Sequence, residues 1–563
     1  MKILPMLLAD SYKMFHHLMY PKGITLLFSN MTPRSYKRIG CKKSVFFGLQ
    51  YYIKEYMINQ WNELFFNKPL EDVVKEYKRF HKHFSFVDVS TEHIEKLHNL
   101  GYLPLEIKAL EEGSLVDEKV PYYTIHNTHP DFAWLVNFLE TQMSTVIWDL
   151  TTNATISKMY RNILDKWAIK TTGSINGVEW QGHDFSMRGR SSIETCLNQA
   201  GHLLSFNGTD TIPAVLMLEK YYNANIEQEL IGSSVPASEH SVMTSYGKED
   251  ELGAFKRLMQ QFPAGILSIV SDSFDLWKVC TEFLPLLKED ILNRNGKLVI
   301  RPDSGNPVDI ICGVGTKYQD ISKYFPEGEI LPEYFCRFLL DEVREETPHG
   351  EHGDVEYEQT YIVRGELIKA KIHNISWNRY DKQYYYIDMW DKANITIEKL
   401  EFKPSDKGVI ELLWDVFGGS INEQGYKVLD SHIGAIYGDS ITLDRAEEIC
   451  KKLEEKGFAS TNIVFGIGSY TFNCNTRDSL GIAVKSTYCE VDGECREIFK
   501  DPITDDGIKK SAKGLLAVID GKLVDKTNWD VVNSDKNDLQ TVFKDGVLIK
   551  DLSLNQIREK LNN

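Results

Sequence analysis

The 563-residue sequence has no Cys-x-x-Cys pair, no apolar run of membrane length and no excess of positive charge. Each absence narrows what the protein can be. Its nine cysteines are scattered and odd in number, which argues against a disulfide framework or a zinc site and suits reduced thiols in a cytoplasmic protein. No stretch approaches the ~20 apolar residues of a membrane helix. The opening Met1-Lys-Ile-Leu-Pro-Met-Leu-Leu-Ala9 is short for a secretory leader, holds Pro5 and runs straight into Asp10. With 64 basic against 81 acidic residues and a net charge of −17, neither nucleic acid nor an anionic membrane is expected as a main partner. Internal repeats and low-complexity tracts are also missing.

What is present is the material for a large globular core, with 42% hydrophobic and 11% aromatic residues. The length suits about two to three structural units. Residues 1–150 mix strands and helices: Ile24 to Ser29 reads as a strand, Val45 to Ile58 as an aromatic-rich helix kinked at Gly48, Leu103 to Leu110 as a half-buried strand, and Asp131 to Asp149 as a helix. From about 150 to 312 the text alternates, with helices at Ile156 to Trp167, Ala214 to Tyr222 and Ala254 to Gln261, then an apolar strand at Ile266 to Val270. That rhythm predicts parallel strands with crossover helices, in an α/β barrel or a doubly wound sheet.

Residues 313–425 break the rhythm. Glu342 to Glu358 is an acidic run with His349 and His352, expected to be a solvated loop rather than a metal site, and Tyr361 to Phe402 reads as aromatic antiparallel strands turning at Arg379-Tyr-Asp-Lys. The α/β pattern resumes over 426–480, with a strand at Ile436-Tyr437, a charged helix from Leu443 to Lys456 and a strand at Asn462 to Phe465. Residues 481–563 are strands and turns closed by a helix from Leu554 to Leu561, expected to pack on the N-terminal part.

The most informative stretch is Lys297-Leu-Val-Ile-Arg301-Pro-Asp303-Ser-Gly305-Asn-Pro307. Leu298, Val299 and Ile300 favour a buried strand, and Pro302 and Gly305 end it. Ligands of α/β proteins sit at the carboxyl ends of strands. Arginine there offers a bidentate fork to phosphate, and aspartate accepts from ribose hydroxyls. On this segment alone, a surface ion pair fits equally well. Other strand ends share the design: Gly182-His-Asp-Phe185-Ser-Met-Arg188-Gly189, Phe206-Asn-Gly-Thr-Asp210-Thr211, Ser234-Val-Pro-Ala-Ser-Glu239-His240-Ser241, Val270-Ser271-Asp272-Ser-Phe-Asp275, Gly438-Asp439 and Gly466-Ile-Gly468-Ser469. The last suits a phosphate cradled on backbone N–H groups.

In this order the clusters resemble the nicotinamide phosphoribosyltransferases, dimeric type II phosphoribosyltransferases of NAD salvage. Further matching segments are Asp10-Ser-Tyr12-Lys13, Phe47-Gly-Leu-Gln-Tyr51, Thr476-Arg477-Asp478 and Phe499-Lys-Asp-Pro502. The likeness runs from residue 10 to the C-terminus except about 313–425, and the extra segment looks more like bacterial or bacteriophage members than the compact vertebrate form. It implies an irregular β/α barrel-like core, a smaller mixed β-rich domain built from both chain ends, and an inserted β module.

The resemblance also implies a reaction and its residues. The family moves the 5-phosphoribosyl group of phosphoribosyl pyrophosphate to the ring nitrogen of nicotinamide, with Mg²⁺ and basic side chains stabilising the departing pyrophosphate. Phe185 would stack on the pyridine ring, and Tyr12 of the partner subunit, with Asp10 beside it, would cover the other face. Arg188 and Arg301 would hold phosphates and carboxamide, Asp303 and Asp439 the ribose hydroxyls. Gly468 and Ser469 with Arg477 would grip the 5-phosphate, helped by Lys500, while Ser234, Ser271 and Gly438 complete the binding set. His240 would be phosphorylated by ATP and oriented by Asp275, with Glu239 as a second partner. Asp210 would favour the amide of nicotinamide over the acid of nicotinate. Two departures stand out: Ser469 replaces a glycine, and Ser186-Met187 replaces Gly-Tyr. Nicotinate or quinolinate phosphoribosyl transfer, or a non-catalytic signalling role on the same scaffold, are the competing readings.

Overall fold

The computed structural model describes residues 3–86, 90–325, 327–328, 330, 334–335, 338, 355–378, 383–386, 395–500 and 511–563. Three early strands, β1 (Ile24–Thr32), β2 (Leu105–Ala109) and β3 (Tyr123–Asn127), begin one core. Helix α1 (Glu140–Thr172) then leads into a second. Its 33 residues span about 50 Å. Met143 and Ile147 near its start pack with the early strands, whereas Ile156, Tyr160, Leu164 and Trp167 pack in the second core. The helix stops at Gly173, whose φ of +73° suits a left-handed cap.

The second core is built on six short strands: β4 (Gly182–Asp184), β5 (Gly208–Thr209), β6 (Leu267–Val270), β7 (Leu298–Arg301), β8 (Ile433–Tyr437) and β9 (Ile463–Ile467). All pairings are parallel, in the order β5-β4-β9-β8-β7-β6. Parallel neighbours need crossovers, which include α2 (Ile212–Tyr221), α3 (Glu251–Gln261), α4 (Leu284–Leu292) and α5 (Leu443–Glu455). The edges β5 and β6 do not stay open. Residues 233–238 bridge both, Ser233 pairing with Gly208 and Ala237 with Ser268, both parallel. Thr209 N–H donates to Ser233 at 3.0 Å and Ser268 N–H to Pro236 at 2.9 Å. The sheet thereby closes into an irregular barrel; Pro236, with no N–H to give, keeps the closing segment from forming a regular strand.

After the barrel come β10 (Ala483–Val491), β11 (Glu494–Glu497), β12 (Gln540–Lys544) and β13 (Val547–Leu548). These complete the first core's sheet in the order β11-β10-β1-β3-β2-β12-β13. The inserted segment holds antiparallel strands Val355–Val363, Glu366–Asn378, Gln383–Tyr386 and Ile395–Leu400 over a small core that includes Tyr361 and Ile368.

Several expectations need correction. Asp131 to Asp149 and Ile156 to Trp167 belong largely to one helix, so residue 150 lies mid-helix and marks only a change of packing partner. The strand β2 is buried on both faces rather than half-buried. Its charged residues tolerate this because Glu106 accepts from Thr541 Oγ1 at 2.8 Å and pairs with Lys544 at 3.0 Å and Lys108 at 3.6 Å. Ser44–Val45 is a strand, and the helix begins at Leu49, after Gly48 at φ +108°, and continues to Phe66 in wider π turns. Most of the acidic run, with His349 and His352, and the Arg379-Tyr-Asp-Lys turn lie outside the described residues.

A histidine cluster in the first core gives the fold a pH dependence. His17 and His93 stack with ring centroids 3.6 Å apart, and His93 meets Trp134 edge-on at 5.0 Å. Burial, then the charges of His17 and His81, pull His93 down to about 3. Its neutral form is native, so the unfolded chain binds the extra proton between about pH 6.5 and 3. This contribution is full above about 6.5 and falls as the pH drops toward 3. His93→Phe is expected to flatten the loss of thermal stability between pH 7 and 4, measured as the melting temperature across that range.

Candidate active site

Each polar cluster lies at the carboxyl end of a barrel strand or on the closing segment. At the end of β7, Arg301 pairs in register with Val270 of β6, and the chain then turns through Gly305, at φ +92°. Tyr437 Oη holds the turn by donating to the Gly305 carbonyl at 3.0 Å. Asn306 caps the following helix, accepting from Val308 N–H at 3.0 Å, with Pro307 in the first turn. Arg301 therefore sits on rigid backbone. Its guanidinium lies 5.7 Å from the ring centroid of Phe185 across the barrel, and its Nε is buried with no hydrogen-bond partner among the described residues.

Phe185 follows β4, where its N–H donates to the Ile467 carbonyl of β9 at 3.0 Å. Beside it, His183 Nε2 lies 3.1 Å from Asp210 Oδ1 at the end of β5. Ser234, carried by the closing segment, donates to the same oxygen. Burial alone would raise the Asp210 pKa, but hydrogen bonds from His183 and Ser234, with the charges of His183 and Arg301, bring it below the ordinary value. An aromatic face, a cation and an ionised carboxylate thus share one mouth.

Asp303 packs directly over Gly438, where an added Cβ would fall 1.7 Å from Asp303 Oδ1. Buried Asp272 braces this side, accepting from Asp303 N–H at 2.9 Å and Ser304 Oγ at 2.5 Å. His240, 46% exposed in its side chain, has Nδ1 3.2 Å from Ser273 Oγ and Nε2 3.8 and 3.7 Å from Asp272 and Asp303. Tyr437 beneath them is pushed up to about 12 by burial and by these two carboxylates. Asp439 is exposed immediately beyond β8.

Some assigned residues are used differently. Asp275 caps a helix, accepting from Lys278 N–H at 3.1 Å, and the carboxylates facing His240 are Asp272 and Asp303. The reason is chain direction: three residues past Asp272 the backbone has already turned into a helix start. Glu239 accepts from Ser241. Ser271 is buried and donates to the Ile269 carbonyl at 2.7 Å while accepting from Arg301 N–H at 3.4 Å, so it braces two strand ends. The Ser469 side chain faces the turn after β4: a Cβ on Gly189 would fall 1.9 Å from its Oγ. Arg188 is exposed on that turn, Met187–Gly189.

Among the described residues no contact joins Arg477 to Ser469. It lines a separate pocket of about 250 Å³ with Asp10, Tyr12, Lys13 and Glu140. Tyr12 is 58% exposed there. Lys500 and Arg477, with Arg34, lie close enough to Lys485 to depress its pKa, an effect led by burial. Lys485 was missed by sequence reasoning; the one basic residue of β10, eight positions after Arg477, was the available signal. Asp272 was missed as well, because only the fold shows which carboxylate of its cluster turns inward.

A buried ion pair ties the two turns of the site together. Arg190 donates to Asp149 of α1 at 2.7 Å and to Asn473 at 2.8 Å, while Asn473 donates to the Gly189 carbonyl at 2.5 Å. Side-chain exposure is 3% for Arg190 and 9% for Asp149. Asp149→Ala strands a buried guanidinium and should cost about 3–5 kcal/mol of stability in denaturant unfolding. Gly438→Ala displaces the Asp303 carboxylate and should lower turnover about a hundredfold with the melting temperature nearly unchanged.

Comparison with known proteins fits this arrangement. The model of the nicotinate phosphoribosyltransferase family matches residues 180–330 and 396–552, and that of the nicotinamide phosphoribosyltransferase N-terminal domain matches 5–107. The gap between the two stretches of the first match, 331–395, falls inside the inserted segment. A nicotinamide phosphoribosyltransferase of Acinetobacter baylyi is 42% identical over 100% of this chain and 97% of its own. One from Mycoplasma pneumoniae is 31% identical over 89% of this chain and 92% of its own. The chain belongs to the nicotinate phosphoribosyltransferase family and carries the N-terminal domain of the nicotinamide phosphoribosyltransferases.

Proposed function

We propose that the protein transfers the 5-phosphoribosyl group from phosphoribosyl pyrophosphate to nicotinamide, giving nicotinamide mononucleotide and pyrophosphate in NAD salvage. The observation that carries this reading is the ionised Asp210 carboxylate beside the Phe185 face and the Arg301 guanidinium. The pyridine ring lies on Phe185, its amide N–H₂ donates to Asp210, and its ring nitrogen points along the barrel mouth toward Asp303. The nitrogen lone pair forms the bond to the anomeric carbon as the bond to pyrophosphate breaks, and the leaving group takes that electron pair. Positive charge passes to the pyridinium, which the Phe185 face favours. Asp303 and Asp439 hold the ribose hydroxyls, and Arg301 and Arg188 the anionic groups.

Magnesium fits as a companion of the pyrophosphate. Among the described residues no group of three or more His, Cys, Asp or Glu side chains is arranged to hold a metal ion by itself, so magnesium would be held by the substrate's phosphates with one or two carboxylates, for which Asp303 and Asp439 are the candidates. When bound, it offsets charge on the departing pyrophosphate. The grouping of Asp10, Tyr12 and Arg477 away from Phe185 supports a homodimer in which each subunit lends these residues to the other's site.

ATP acts as co-substrate through His240. The exposed imidazole can attack the γ-phosphorus through a ring nitrogen, with ADP leaving, and Asp272 and Asp303 are placed to stabilise its positive charge. The family model also admits nicotinate as substrate. A second carboxylate about 4 Å from Asp210 would repel it by about 4 kcal/mol at an effective dielectric of ~20, about three decades of discrimination.

Product analysis with nicotinamide or nicotinate, phosphoribosyl pyrophosphate and Mg²⁺ tests the reading: nicotinamide mononucleotide should form, and Asp210→Ser should lose the preference for the amide. Unchanged rejection of nicotinate by that variant would sink the argument. ATP should stimulate the wild type and not His240→Ala; equal stimulation of both removes His240 from its assigned role.

A further inference from the structure

His183 has no part in the mechanism above, yet it fixes Asp210. It is the middle residue of β4, pairing with Gly466 of β9 on one side and Gly208 of β5 on the other. The backbone is therefore locked by two neighbours, and the residue is 9% exposed. Its Nε2 lies 3.1 Å from Asp210 Oδ1. An ionised carboxylate only accepts, so Nε2–H is the donor. The other ring nitrogen, Nδ1, faces Gly208, where an added Cβ would come within 2.7 Å. Any side chain at 208 would push the imidazole off its carboxylate.

Ser234 donates to the same Oδ1 from the closing segment. Two donors on one oxygen pin the carboxyl group and leave Oδ2 as the acceptor for a ligand. The imidazole also lies against Phe185, with centroids 4.5 Å apart at 42°. One side chain thus touches both the face on which a ring would lie and the carboxylate that would meet its edge.

We infer that His183 is a specificity-positioning residue that clamps Asp210 and so sets the preference for a pyridine carboxamide over the matching acid; this rests on the function proposed above. A free carboxylate can rotate away from an incoming anion and take up a compromise pose. A clamped one cannot yield, so it repels the acid, while an amide N–H₂ meets a preformed acceptor with no reorganisation.

The test is the ratio of kcat/KM for nicotinamide to that for nicotinate in the full-length protein. His183→Phe keeps a ring against Phe185 but removes the donor, and the ratio should fall about ten- to hundredfold. His183→Gln restores an N–H within reach and should recover most of it. A ratio within twofold of wild type in His183→Phe overturns the inference. So does a loss shared equally by both substrates, or a fall in His183→Gln as large as in His183→Phe. Where His183→Phe does not fold, Ser234→Ala removes the other donor to the same oxygen. Its ratio should also drop, and an unmoved one overturns the clamp. A wild type that makes no mononucleotide from nicotinamide overturns the proposed function and the inference together, whereas a discriminating wild type with an unmoved His183→Phe ratio overturns the inference alone.

Discussion

Closure of the parallel sheet by residues 233–238 is the constraint on which the site depends. Without it β5 and β6 would be open edges, and the strand ends would fan out along a twisted sheet. With both edges bridged, Phe185, Asp210, Arg301, Asp303 and Gly438 face one mouth. The same segment delivers Ser234 to Asp210 and leads into His240, so the residues that close the fold also furnish the pocket. Glycine is what permits the tightness. At Gly466 a Cβ would fall 1.5 Å from the Gly438 carbonyl, so no side chain fits there, and at Gly438 a Cβ would fall 1.7 Å from Asp303 Oδ1 and force that carboxylate aside.

Electrostatics of the mouth run against those of the whole chain. A protein of net charge −17 has an unfavourable long-range field for any anion, so a cation that meets one must act at short range. Arg301 stands at the end of β7 with its Nε buried and without a hydrogen-bond partner among the described residues, where desolvation would strengthen its attraction for an anion. A second basic group, of Arg34, Arg477, Lys485 and Lys500, gathers where β10 begins the other sheet. Long helix α1 links these regions mechanically: its first turns pack in the two-ended sheet, its middle holds Arg190 through Asp149, and its last turns lie in the barrel core.

Where sequence reasoning went astray, local pattern and tertiary contact had parted company. The Leu105–Ala109 alternation looks half-exposed, because Glu106 and Lys108 are polar; Lys108 pairs with Glu106, whose other partners Thr541 and Lys544 arrive from more than 400 residues away. Asp275 was a reasonable partner for His240 by motif, but a carboxylate three residues nearer the strand, Asp272, is the one the turn leaves facing inward. The resemblance puts Ser271 and Ser469 in the binding set; in the fold one braces backbone and the other lies over Gly189.

The chain by itself determined that strands and helices alternate, that polar clusters close the strands, and which residue types stand at each. Those are properties of period and of neighbours a few positions apart, and the chemistry of Arg301-Pro-Asp303 or Gly468-Ser469 is legible at that range. Only the tertiary structure decided that the sheet closes, that Arg301 lies over Phe185, that Arg477 groups with Tyr12, and that His183 holds Asp210. Parallel register and barrel closure bring together residues tens to hundreds of positions apart, and no local spacing encodes which of several like side chains ends up facing which.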